Sequence, residues 1–227
     1  MKITVKLLLL TFGLMGSLFP LQAQMAEKAP VSDRMGSWDF TLPLIYSFEA
    51  TIDGKGGSSV DLDDDLGFGF GAAYNVSNQL SLGGFFNWSY RGYEAQGPQD
   101  DGSLYRYTNS VETTTLAFNA TYYILEGPAT PFITGSLGYT FMDTNIQNGP
   151  SDVYCYYDPW WGYICNGYVP TRTEDGPSYS LGLGFRYDVS DSMSLQLSYN
   201  KSWVDLGNSS STPDFDTIRL DFIFRSF

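Results

Sequence analysis

Two cysteines and no histidine limit the chemistry open to this 227-residue sequence. Without an imidazole there is no Ser-His-Asp or Cys-His catalysis, and no catalytic residue is expected. Cys155 and Cys165 lack further ligands of the right kind, so they make a poor zinc site; in an exported protein they are expected to form a disulfide. Closing so short a loop contributes at most about 3 kcal/mol through chain entropy. The carboxylates Asp61, Asp63, Asp64 and Asp65 do not fit an EF-hand, which needs Gly at the sixth and Glu at the twelfth position. They read as solvated loop residues or a weak divalent-cation site, and neither a metal nor a cofactor is expected.

The third group is aromatic. Tyr154, Tyr156, Tyr157, Trp160, Trp161, Tyr163 and Tyr168 crowd around the two cysteines. Exposed rings mark a binding surface; the same rings could instead pack on one another or dip into a membrane interface. The net charge of −13 argues against a nucleic-acid partner, which selects basic patches.

These residues must be held by strands. Over Leu66–Tyr74 large apolar residues alternate with Gly and Ala, and after the turn Asn75–Gln79 the alternation resumes through Arg91. Period two means strand, because successive side chains leave opposite faces. The unit recurs to the C-terminus: 37–50, 66–74, 80–91, 111–124, 131–143, 179–188, 193–204 and 216–227. Short turns follow the second, fourth and sixth strands. Long loops, near 51–65, 92–109, 144–176 and 205–214, separate the others. Pro43, lacking an N–H, implies a local break in the first ladder.

Charged residues are only 16% of the chain, against about 25% in soluble domains. Each strand has about the 9–11 residues needed to cross a bilayer. The reading is an all-β, eight-stranded, antiparallel up-and-down transmembrane barrel over 37–227, with short periplasmic turns and long extracellular loops. Tyr74, Tyr122 and Tyr187 would line one interface; Trp88, Tyr90, Tyr179 and Trp203 the other. A soluble lipocalin-like barrel would bury the large apolar set instead. Residues 1–23 carry Lys2, Lys6, an apolar Leu7–Leu14 core and Leu21-Gln22-Ala23, the pattern of a cleaved secretory signal. Residues 24–36 read as a mobile leader.

The hairpin GFGFGAAYNVSNQLSLGGFFNWSY, the eight amphipathic strands and terminal Phe227 resemble the small outer-membrane β-barrel superfamily of OmpW, OmpX and the OmpA membrane domain. The resemblance implies a Gram-negative outer membrane, lipid and lipopolysaccharide contact, and insertion by the barrel-assembly machinery. One feature departs from that family: Phe227 falls out of parity with Ile218, Leu220, Phe222 and Phe224, which implies a bulge near Ser226.

In such a barrel Asp39, Glu49, Arg91, Arg186, Asp188, Arg219, Asp221 and Arg225 point inward. Buried charges must pair, so the interior is either a salt-bridged plug or a narrow polar conduit. Lys201 faces outward near the external rim and is a candidate contact for lipopolysaccharide phosphates. Two functions stay open: a narrow channel for small or apolar solutes, as OmpW resemblance implies, or a non-conducting structural or surface-recognition barrel acting through its loops.

Overall fold

The structure, a computed structural model, describes residues 33–54, 57–98, 104–150, 152–168, 170–207 and 212–226, without the side chains of 152, 154, 166 and 168. The expected signal 1–23, residues 24–32 of the leader, and Phe227 lie outside the described residues.

Alternating side chains make twelve strands among the described residues: β1 (Trp38–Ser47), β2 (Ala50–Asp53), β3 (Ser59–Leu62), β4 (Asp65–Asn75), β5 (Leu80–Pro98), β6 (Leu104–Tyr123), β7 (Ala129–Gln147), β8 (Asp152–Asp158), β9 (Gly162–Tyr168), β10 (Thr171–Asp188), β11 (Met193–Val204) and β12 (Asp214–Ser226). Eight of them, β1, β4, β5, β6, β7, β10, β11 and β12, pair antiparallel with their neighbours in chain order, and β1 returns to β12. The result is a closed up-and-down barrel, as the alternation predicts. The short β2–β3 hairpin extends the wall by pairing β3 with the upper end of β5. β8 and β9 form a separate two-stranded sheet.

The bulky apolar set points outward. Phe118 is 79% exposed and its cross-strand partner Leu137 is 71% exposed. Leu66, Phe68, Phe70, Leu181, Leu183 and Phe224 share that outer face. In water this would be an apolar band far larger than soluble surfaces carry; against acyl chains it is at home. Inward positions are small and polar, with Thr121, Thr140, Ser81 and Ser198 all buried. Close packing inside needs the glycines: a Cβ at Gly184 would lie 2.6 Å from the buried Phe132 ring.

Pro43 acts as its chemistry requires. The β1–β4 ladder is interrupted between Thr41↔Gly71 and Leu44↔Phe68, while the β1–β12 ladder runs through Pro43↔Asp221.

The strands are longer than the alternation of large residues suggests. β5, β6, β7 and β10 run into the stretches expected as the loops 92–109 and 144–176. The reason is a reversal of polarity. Beyond the outer belt the inward residues turn apolar, and Leu62, Tyr93, Ala95, Val111, Met142, Val204, Leu206 and Phe215 pack as one buried cluster. Outside the lipid the wall behaves like a soluble sheet, greasy within and acidic without. Replacing Leu137 with Arg should therefore cost about 2–4 kcal/mol, the penalty for a lipid-facing charge near the midplane. Urea titration of protein refolded in lipid vesicles measures it, and Leu104→Arg, beyond the lipid and 70% exposed, should leave the midpoint unchanged.

Candidate functional site

The charged residues expected inside gather their hydrogen bonds and ion pairs at successive levels of the lumen. They occupy three stations, and Glu49 joins none of them.

The lowest station is a neck at the end of the short turns. Register places Asp39 of β1 opposite Arg225 of β12, and Asp188 of β10 opposite Ser194 of β11. Arg186 reaches between the two carboxylates. Its Nη1 donates to Asp39 Oδ2 and to the Tyr123 hydroxyl, both at 2.7 Å, and its Nε donates to Asp188 Oδ1 at 2.9 Å. Nη2 donates to Ser194 Oγ at 3.0 Å. Arg225 Nε donates to Asp39 Oδ1 at 3.1 Å.

Arg34 completes the neck, and the reading of the sequence missed it. The mobile leader expected through Gly36 does not extend to Arg34, which is fully buried. Its guanidinium donates to Asp188 Oδ2 at 3.0 Å, to the Gly127 carbonyl at 2.8 Å and to the Asn78 carbonyl at 3.2 Å. It also stacks 4.8 Å from the centre of the Tyr123 ring, which Arg186 approaches at 5.1 Å. Backbone bonds between Gly36 and Asn75, and between Asn75 and Ser37, hold this strap against the β4–β5 turn. Three guanidiniums thus face two carboxylates, all of them buried. The only sequence cue was a lone Arg just before the first strand, which a signal of alternation cannot flag.

The middle station is Arg219 and Asp221 on β12. Arg219 Nε donates to Asp221 Oδ1, Gln196 Nε2 donates to Asp221 Oδ2 at 3.3 Å, and the Arg219 guanidinium lies over the Phe85 ring. These groups line a chamber of about 210 Å³ with Asn87, Thr115, Asn119 and Asn200. The neck bounds it below; Met142, Val204 and Phe215 bound it above.

The upper station is Arg91, buried under the apolar cluster and donating to the Phe48 carbonyl at 2.7 Å. That carbonyl is free because β1 ends at Ser47 and β2 starts at Ala50. The same break corrects the placing of Glu49. Alternation stops at Ser47, so Glu49 is exposed rather than inward.

On the outer face, aromatic donors meet carboxylates at the external belt. Tyr46 donates to Asp64, Trp88 to Glu112, Tyr139 to Asp175 and Tyr199 to Asp216. Tyr179 stacks on Trp203 in the same belt. Lys201, the expected phosphate contact, lies between Asp214 and Asp216 and has its charge met within the rim. In the acidic run, Asp61 accepts from Thr51 while Asp64 accepts from Tyr46, so the carboxylates diverge. Among the described residues no group of three or more His, Cys, Asp or Glu could hold a metal ion.

The external hairpin β8–β9 carries the cysteine pair. Cys155 faces Cys165 in register and the two are bonded. Tyr157 and Tyr163 meet edge to face on the same side. Trp160, Trp161 and Tyr163 are almost fully exposed, and Tyr156 is the least exposed of the hairpin rings described. The side chains of Tyr154 and Tyr168 lie outside the described set.

Truncating Arg186 to Ala should lower unfolding free energy by about 3–5 kcal/mol, because it breaks two buried ion pairs at once and leaves Asp39 paired with Arg225 and Asp188 paired with Arg34. Glu49→Ala should stay within about 0.5 kcal/mol, as for other exposed positions. Urea titration of both variants in lipid vesicles decides whether the two residues are placed correctly.

The profile of the family described as outer membrane protein beta-barrel domain matches residues 14–225. A search of the curated proteins finds no relative that matches the chain. Among solved structures, Ail of Yersinia pestis in complex with the heparin analogue sucrose octasulfate is similar at 14% identity and TM-score 0.48, covering 85% of this chain and 99% of that one. Neisserial surface protein A is similar at 12% identity and TM-score 0.49, covering 84% and 97%. OprG of Pseudomonas aeruginosa is similar at 11% identity and TM-score 0.46, covering 85% and 97%. With the family profile spanning nearly its whole length, the chain belongs to the outer membrane protein β-barrel family.

Proposed function

We propose that this outer-membrane barrel is non-conducting and works by display, offering the β8–β9 hairpin as a surface-recognition element. The observation that carries the reading is the neck. Arg34 and Arg186 have no exposed surface, and Arg225 and Asp39 have almost none. An open conduit wide enough for a hydrated ion would wet these side chains. The apolar cluster above the chamber adds a second barrier. The disulfide and the ladder between Tyr156↔Ile164 and Tyr157↔Tyr163 meanwhile give the hairpin a defined shape. A rigid element with outward rings loses little side-chain entropy on binding.

The channel reading draws support from the polar chamber of about 210 Å³. It requires both the neck and the apolar cluster to open. The reading of a non-enzyme rests on the His-free sequence.

Purified protein in planar bilayers should show no steady single-channel current, and vesicles containing it should retain small solutes. Discrete, reproducible conductance steps would overturn the closed reading. Replacing residues 152–168 with a short Gly-Ser linker should abolish attachment of expressing cells to surfaces they otherwise bind, while the heat-dependent gel shift of a folded barrel persists. Undiminished attachment would remove the hairpin from the function.

A further inference from the structure

We propose that the apex of the β8–β9 hairpin is a lipid-contacting tip, suited to enter the headgroup layer of a zwitterionic phospholipid membrane brought against the cell. This rests on the reading of the hairpin as the recognition element and names its partner.

The apex is the turn from Asp158 to Gly162. Asp158 Oδ1 accepts the backbone N–H of Trp160 at 2.7 Å and of Trp161 at 3.0 Å. Gly162 takes φ of +76°, a backbone region that L side chains rarely adopt. The turn is therefore fixed by its own residues and does not need the indoles to pack inward. Trp160 is 88% exposed, Trp161 80% and Tyr163 80%. Large rings so placed are unusual on a water-facing loop, where they would be expected to cover something.

Shape and charge choose the partner. The rings sit on a convex turn. A sugar site needs a ring platform flanked by fixed hydrogen-bonding groups, and here the turn's carboxylate is engaged by backbone amides. Trp and Tyr have apolar bodies with one polar handle, which suits the boundary between headgroups and acyl chains. No Lys or Arg occurs between Asp143 and Arg172, whereas Asp152 and Asp158 do. The segment thus has nothing to pair with polyanions, including the phosphates of the lipopolysaccharide leaflet around the barrel. A zwitterionic surface imposes no such repulsion. Seven residues per strand at about 3.3 Å each give the hairpin a reach of about 20 Å.

The test uses the whole protein in nanodiscs, mixed with vesicles of phosphatidylcholine. The chain has five tryptophans, and Trp38, Trp88 and Trp203 lie on barrel strands. Brominated phosphatidylcholine placed only in the vesicles should quench the fluorescence of Trp160 and Trp161 selectively. The protein should float with these vesicles, and the double variant Trp160→Ser, Trp161→Ser should lose roughly tenfold in vesicle affinity, since each indole buries a large apolar area. The barrel gel shift should be unchanged. Equal flotation of wild type and double variant, binding that rises with anionic phosphatidylglycerol, or binding to an uncharged polysaccharide but not to vesicles would each overturn the lipid assignment. Attachment that is lost on hairpin replacement but insensitive to the double variant would sink this inference and leave the recognition reading standing.

Discussion

Acyl chains accept no hydrogen bonds, so every backbone N–H and C=O in the spanning region must find a partner within the protein. All else in this molecule follows from that. A sheet meets the requirement only by closing on itself, and the seam is the β1–β12 ladder, ten residue pairs from Trp38↔Ser226 to Ser47↔Thr217. The seam is also where the first inward charge appears, Asp39 opposite Arg225. Closure thus delivers an acid and a base to one end of the lumen, and Arg186 and Arg34 arrive from other elements to complete the neck.

Closure also fixes what the two faces must be. Within the lipid the outer face is apolar and the lumen small and polar, which holds the chamber open. Above the belt, water replaces lipid and the assignment reverses. Glu112, Asp175 and Asp216 stand outside, while Val111, Met142 and Phe215 turn in. The tyrosine and tryptophan donors that meet these carboxylates mark the boundary on the outer surface. One wall therefore obeys two opposite rules, and the change of rule places an apolar cluster over the chamber.

That change also explains what the sequence could and could not tell. Alternation of large apolar with small residues is visible for each of the eight ring strands, because lipid demands it locally, and it located the barrel and the outward rows. The same period continues through Tyr93 and Ala95 on β5 and through Tyr105 and Tyr107 on β6. There the contrast is weaker and inverted, so a search for greasy rows ends early and leaves loops. Glu49 failed for a different reason: parity assumes an unbroken strand, and the chain breaks after Ser47. The grouping of inward charges into stations depends on cross-lumen distances, which a one-dimensional pattern does not carry. Arg34 is the extreme case, since its partners Asn78, Gly127 and Asp188 come from three separate parts of the chain.

The two charged ends of the molecule use opposite strategies. In the neck, charges are desolvated and each carboxylate is shared by at least two guanidiniums, so removing one group breaks several bonds at once. At the hairpin the only described carboxylate of the apex is spent on turn amides, and the Trp160 and Trp161 indoles stand almost fully exposed. A protein that conducted through its lumen would need the first arrangement to be loose. A protein that engages a surface needs the second to be rigid, because rings that must first be ordered would lose much of their contact energy to entropy. Buried charge in the neck and exposed indoles at the tip are the arrangement that the proposed display function requires.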